Sequence, residues 1–318
     1  MMQHQSAQGD STSALTLSSV KAVSMNFSHQ IVQYLLSGFS TGAIYSLIGL
    51  GFAIIYNSTG IINFAQGEFV MLGGMLTYFF LTVAGIPLFA SIILSVIIAT
   101  ATGVIFERLA IRPLRNATPL SLVIITIGGS IFIRGIAMLV WGKDTHAIPM
   151  FSGTEPLFLA GATILPQHLW IFGITILIIV INKLYFYYSI SGKAMRACSY
   201  NRNAASLVGI DVRRMVLFSF AISSAMGSVA GMIAAPLTMT SYDVGVMLGL
   251  KGFCAAIIGG MSSGIGTVLG GLILGVLESL GAGLLSSGYK DAIAFIILLL
   301  ILFIRPRGIF RKAETERV

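Results

Sequence analysis

Charge is scarce in this chain. Of its 318 residues, 9% are Asp, Glu, Lys or Arg, 56% are hydrophobic, and the mean hydropathy is +0.93. Soluble domains carry about 25% charged residues, so a soluble fold is excluded and a polytopic membrane protein is implied. Cysteine is scarce too. Cys198 falls in a basic loop and Cys254 in an apolar stretch, which gives no disulfide framework. The four histidines, His4, His29, His146 and His168, form no His-Glu-x-x-His pair, so that class of metalloprotease is excluded and no metal site is expected. Gly142-Lys143 and Gly192-Lys193 are not followed by Ser or Thr, nor preceded by glycine at the required spacing. The chain therefore has no phosphate-cradling loop and no cofactor of its own; if ATP drives it, another chain hydrolyses the ATP. No catalytic constellation is visible, so an enzyme is not expected. Residues 1–24 are polar, rich in Ser and Gln, and lack the apolar core of a signal peptide, which predicts a disordered tail.

What remains is apolar and rich in glycine. A span needs roughly 20 apolar residues, and candidates fall at 30–56, 65–84, 87–106, 120–141, 167–187, 215–236, 243–261, 265–286 and 288–304. The segment 243–261 reads as either crossing or re-entrant, so the expected fold is an all-α membrane protein with about eight to ten transmembrane helices. The net charge of +8 does not point to nucleic acid, because the basic residues lie between spans. Arg108, Arg112 and Arg115 occupy 107–119. Lys193, Arg196, Arg202, Arg213 and Arg214 occupy 189–214, and Arg305, Arg307, Arg311, Lys312 and Arg317 lie in the tail. The positive-inside rule puts all three segments in the cytoplasm and the loop 142–166 outside. The expected organisation is a polar tail over 1–29, a transmembrane domain over 30–304 and a basic cytoplasmic tail over 305–318.

The octet Ile61 to Glu68 places Asn63, Gln66 and Glu68 at membrane depth, beside Asn57, Gly60, Gly67, Gly73 and Gly74. Polar side chains in hydrocarbon are costly and mark protein interiors or water paths. A second polar-punctured stretch, 241–271, holds Asp243, Lys251, Gly259, Gly260 and Gly264. Paired interruptions of this kind are the mark of inverted-repeat transporters with discontinuous helices. Asn57, Asn63, Gln66, Glu68, Lys251, Gly259 and Gly260 are accordingly expected along a substrate pathway or gate. Lys251 has three readings: a pair with Asp243, a pair with Glu68, or snorkelling. Arg134 reads as a snorkelling residue and Glu107 as the partner of Arg108 in a surface ion pair. Small-xxx-small spacings such as Gly38/Gly42, Gly245/Gly249 and Gly271/Gly275 predict close helix packing.

The loop 189–214 is the other distinctive segment. Residues 193–208 read as one short cytoplasmic helix, with Gly209 as its stop. Ala197 and Ala204 are small and expected to be exposed, and Gly192, Lys193, Arg196 and Asn201 flank them. Small exposed residues favour intimate contact with a protein over anchoring in lipid, which predicts a docking helix.

These features resemble the permease subunits of branched-chain amino acid ABC importers over nearly the whole chain, from Ile31 to Arg311. The resemblance is carried by Ile62-Asn63-Phe64-Ala65-Gln66-Gly67-Glu68 and by Gly192-Lys193-Ala194-Met195-Arg196-Ala197 continuing to Gly209-Ile210-Asp211. Further marks are Gly249-Leu250-Lys251-Gly252-Phe253, Ala256 to Gly260, Gly270-Gly271, Tyr289-Lys290-Asp291 and Arg305-Pro306-Arg307-Gly308-Ile309-Phe310. Some relatives have His where Gln66 stands, and the polar N-terminal tail is longer than usual. The resemblance implies an inner-membrane protein working with a second, homologous permease, two cytoplasmic ATPase subunits that use ATP, and a periplasmic or lipoprotein substrate-binding protein. It also implies that the 192–211 loop carries the coupling helix that enters the ATPase. Permeases for urea or short amides share the pattern. A transporter that acts alone on an ion gradient is the remaining alternative class.

Overall fold

The computed structural model describes residues 6–114, 118–159, 162–284, 286–305 and 308–310, with side chains from His29 onward except at 158, 159, 162 and 287. Expectations that fall on residues 1–5, Arg115, Arg307 and 311–318 lie outside this range. Eleven α-helices are described: α1 (Ser6–Thr59), α2 (Gln66–Tyr78), α3 (Leu88–Phe106), α4 (Pro119–Trp141), α5 (Pro166–Tyr188), α6 (Ile190–Tyr200), α7 (Arg202–Leu207), α8 (Val212–Thr238), α9 (Val244–Gly259), α10 (Gly264–Leu284) and α11 (Lys290–Ile304). A two-stranded hairpin, β1 (Leu157–Leu159) with β2 (Ala162–Ile164), lies in the loop before α5. Gln33 on α1 brackets this hairpin, donating to the Thr163 carbonyl at 2.8 Å and accepting from its N–H at 2.9 Å.

Helix ends follow local chemistry. Thr118 caps α4 ahead of Pro119, while Gly60 (φ +70°) and Gly142 (φ +80°) stop α1 and α4 in a backbone region that favours glycine. The segment 6–24 differs from the expected disordered tail: its backbone is helical and continuous with the first span. No proline or glycine lies between Asp10 and Ser37 to stop a helix growing back from the apolar half.

Among the described residues nine apolar helices occupy the expected stretches, and six of them are long enough to cross a membrane: those containing His29–Thr59, Leu88–Leu114, Pro119–Trp141, Pro166–Tyr188, Val212–Thr238 and Gly264–Leu284. Helix α9, with 16 residues, rises about 24 Å and falls short of the roughly 30 Å hydrocarbon core. Helix α2 has 13 residues and continues into a π-helical turn, Phe79–Val83. These two short helices come from the two polar-punctured stretches and sit in the interior. Around them pack α1, α8 and α10, and α3, α4 and α5 form a rim. The apolar window of α1 is 89% buried and that of α4 is 17% buried, which separates core from rim.

Glycine sets the close approaches, as expected from the spacings. On α1, Gly42 meets the backbone of Gly271 and Leu272, and Gly38 meets that of Gly275 and Val276. On α2, Gly67 lies against the Gly245 carbonyl and 3.2 Å from the Gly249 Cα, measured from where a Cβ would stand. The two interrupted helices therefore touch backbone to backbone. In lipid, where burial of apolar surface gives no net drive between helices, such contacts supply much of the association.

Candidate functional site

A cavity of about 210 Å³ opens where α1, α2, α4 and α9 meet. Glu68, Ser130 and Arg134 are its polar lining, and Phe52, Phe64, Ile127, Ile131, Leu250 and Phe253 are among its apolar walls. Glu68 is 1% exposed. Ser130 Oγ donates to its Oε1 at 2.7 Å, and its Oε2 has no partner. Ser130 lies about 16 Å along α4 from Pro119, roughly half the thickness of the hydrocarbon core. Phe253 faces Phe52 and Phe64 with ring centroids 5.6 and 5.7 Å apart, so one wall is aromatic. Arg134, expected to snorkel, instead lines the cavity. No ion pair joins it to Glu68 among the described residues.

Asn63 and Gln66, the other polar residues of the octet, shape this site without lining it. Asn63 is buried, and its Oδ1 accepts from the Ala65 N–H at 3.2 Å, turning the chain into α2. Gln66 is fully buried. Its Nε2 donates to the Ser223 carbonyl at 3.1 Å, and the single Ser223 hydroxyl proton is shared between Gln66 Oε1 at 2.6 Å and the Gly51 carbonyl at 2.8 Å. Gln66 thus ties α2 to α8 and α1. Asn57 is half-buried near the end of α1.

Two expectations, the partner of Lys251 and the ion pair of Glu107, are corrected, and two expected pathway glycines stand outside this cavity. Lys251 pairs with neither Asp243 nor Glu68 and does not snorkel. It is 5% exposed and bonds Glu278 Oε1 at 2.9 Å and Asp291 Oδ1 at 2.6 Å. Tyr45 donates to the same Glu278 oxygen at 3.1 Å, and Lys290 lies 3.5 Å from it. Lys251 stands next to Leu250 in sequence, but its side chain turns away from the Glu68 cavity into this second cluster. Gly259 and Gly260 also lie apart from the cavity. Gly259 packs on the Gly266 backbone, and Gly260 (φ +92°) makes the α9–α10 turn against Gly308. Glu107 is 2% exposed, sits in a π-helical turn (Glu107–Ile111), and makes no ion pair with Arg108 among the described residues.

The 189–214 loop folds as two helices instead of one. Asn201 breaks them: its backbone is extended (φ −157°) and its Oδ1 accepts from the Ala204 N–H at 3.0 Å, capping α7. Gly209 (φ +85°) stops α7, and the Ile210 N–H bonds the Ala205 carbonyl at 3.1 Å, completing a Schellman-type end. Ser189 caps α6 and Asp211 caps α8. Lys193, Arg196 and Ala204 are exposed, and Ala197 is half-buried. Gly192 is buried against the backbone of Tyr185 and Phe186. Large side chains that the sequence did not single out stand clear of the surface: Tyr200 86%, Leu207 88% and Val208 76% exposed. Arg202 reaches back to the Ser58 carbonyl and fixes the pair to the end of α1. Burial pushes the Cys198 thiol up, with the Arg202 guanidinium opposing it, so this cysteine is a packed and unreactive side chain. Among the described residues no cluster could hold a metal ion.

Comparison with known proteins adds a family. The family described as the permease component of branched-chain amino acid transport systems matches residues 34–302. The chain is similar to the high-affinity branched-chain amino acid transport system permease protein LivH of Salmonella typhimurium, at 36% identity over 303 residues, covering 90% of this chain and 97% of the relative. It is similar to the corresponding protein BraD of Pseudomonas aeruginosa at 34% identity, covering 91% and 99%. It also resembles the D-allose transport system permease protein AlsC of Escherichia coli, at 30% identity over 76% of this chain and 73% of the relative.

Proposed function

The chain belongs to the family of branched-chain amino acid transport permeases, and from that membership we propose its place in a transport cycle. It is the membrane-spanning permease subunit of an ABC importer for branched-chain amino acids. The carrying observation is likeness to LivH and BraD along almost their entire length. In the proposed assembly it pairs with a second permease in the bacterial inner membrane, two ATPase subunits bind from the cytoplasm, and a binding protein delivers substrate from outside. The basic end of the helices, where Arg202 meets Ser58, is cytoplasmic on the positive-inside rule. The α6–α7 pair supports the coupling role, because it is basic, rigidly capped and presents exposed Tyr200 and Leu207 to the ATPase side.

The mechanism proposed is alternating access. ATP-driven closure of the ATPases and docking of the binding protein favour different permease states, each by its differential affinity for those states. The α2–α9 contact is the element proposed to move, since the Glu68 cavity at half depth adjoins it. The test is reconstitution of the chain with its partners in proteoliposomes. Leucine uptake should require ATP, the ATPases and the binding protein together. Uptake by the isolated chain on a proton or sodium gradient would replace this reading with a secondary transporter.

A further inference from the structure

The geometry points to the Glu68 cavity as a zwitterion cradle: Glu68 receives the α-ammonium group of a passing amino acid, Arg134 receives its carboxylate, and the phenylalanine wall holds its apolar side chain. This rests on the importer reading and adds to it a recognition site within the permease.

Two opposite charges face one largely apolar cavity at membrane depth, close enough to feel each other's field yet with no direct ion-pair contact among the described residues. Unpaired charge in hydrocarbon is costly, and such residues mark ligand or ion paths. Glu68 Oε1 is already fixed by Ser130 Oγ, which leaves the buried Oε2 with unused acceptor capacity. Ser130 and Arg134 are four residues apart on α4, hence on one face and about 6 Å apart along the axis. The anionic and cationic ends of the cavity are thus set one helical turn apart, a gap that the adjacent ammonium and carboxylate of an α-amino acid bridge with a charge-assisted bond at each end. The apolar lining, Phe52, Phe64 and Phe253 above all, suits an aliphatic side chain. At about 210 Å³ the cavity is smaller than the roughly 300–1,000 Å³ of drug-sized pockets and fits a small molecule.

The experiment uses the full complex of permeases, ATPases and binding protein, with photo-leucine, a diazirine analogue of leucine, as the probe. Irradiation should label peptides of α1, α4 and α9 that line the cavity. Excess leucine should abolish the label. Leucinamide, which lacks the carboxylate, and 4-methylpentanoate, which lacks the amine, should not abolish it at the same concentration. Glu68→Gln and Arg134→Gln should each reduce labelling and leucine import at least about tenfold, as loss of one charge-assisted bond predicts, and Arg134→Lys should restore part of it. Equal competition by leucinamide, or undiminished labelling and import in both neutral variants, would overturn the cradle. Equal competition by leucinamide is read on the wild-type complex alone, so the cradle can be overturned even if a variant fails to assemble. Failure of the wild-type complex to import leucine with ATP would instead overturn the importer reading.

Discussion

Gln66 and Glu68 stand two positions apart, yet they do different work. Two residues on a helix differ by roughly 200° around its axis, so one side chain turns toward α8 and α1 and the other toward the cavity. The sequence marks both as polar groups at membrane depth and leaves open which faces a path and which faces a neighbour, because its signal is cost and carries no direction. The same limit applied to Arg134, whose position near the outer half of a span fits snorkelling as well as a cavity. Gly67, between them, is governed by distance alone. A side chain there meets the Gly245 carbonyl and the Gly249 backbone, and forced overpacking costs about 1–3 kcal/mol. Gly67→Val should therefore lower the thermal midpoint of the purified permease. Gly128→Ala on α4, where a Cβ meets nothing within 4 Å, should leave the midpoint unchanged or slightly raised, since alanine is the better helix former. Equal midpoints for Gly67→Val and wild type would mean that the α2–α9 contact is looser than drawn.

At the scale of elements, hydropathy placed nine apolar helices, because composition is enough to mark an apolar stretch, whereas which of them are long enough to cross depends on where each helix breaks. The division of the 189–214 loop into α6 and α7 was not legible. It depends on Asn201 acting as a cap, and asparagine carries the same letter in a helix or at its end. The exposed face that results is made of Tyr200, Leu207 and Val208 more than of alanines. Leu207→Glu should abolish co-purification of the ATPase subunits or reduce ATP-driven uptake at least about tenfold, the effect of losing a buried apolar anchor worth roughly 1.5–3 kcal/mol. The melting of the isolated permease should stay as in wild type, because Leu207 touches little of its own chain. Unchanged uptake with bound ATPases would remove α7 from the docking surface.

Over the whole molecule, the family could be read because its marks are spread from Ile62 to Phe310, while the pairing that binds the last helices to the core could not. Lys251, Glu278 and Asp291 are brought together from α9, α10 and α11 only by folding. Removing one partner of a buried pair leaves a stranded charge and costs about 3–5 kcal/mol, whereas replacing both is far milder. Lys251→Met should thus destabilise the permease, although Lys290 at 3.5 Å still offsets part of the Glu278 charge, and Lys251→Met with Glu278→Gln should recover much of the loss, a non-additivity that thermal melts of both variants would measure. Additive losses would show that the cluster is solvated. A different connection governs how force would travel. The His146 and Thr240 backbones exchange two hydrogen bonds, of 2.8 and 2.9 Å, and the His146 ring stacks on Tyr78 at 4.2 Å. From Thr240 to Gly245 the chain can extend at most about 17 Å. The loop 142–166 and the glycine at which α9 rests on α2 are thus joined through one short turn, so a displacement at that loop has a covalent route of five residues to the α2–α9 contact.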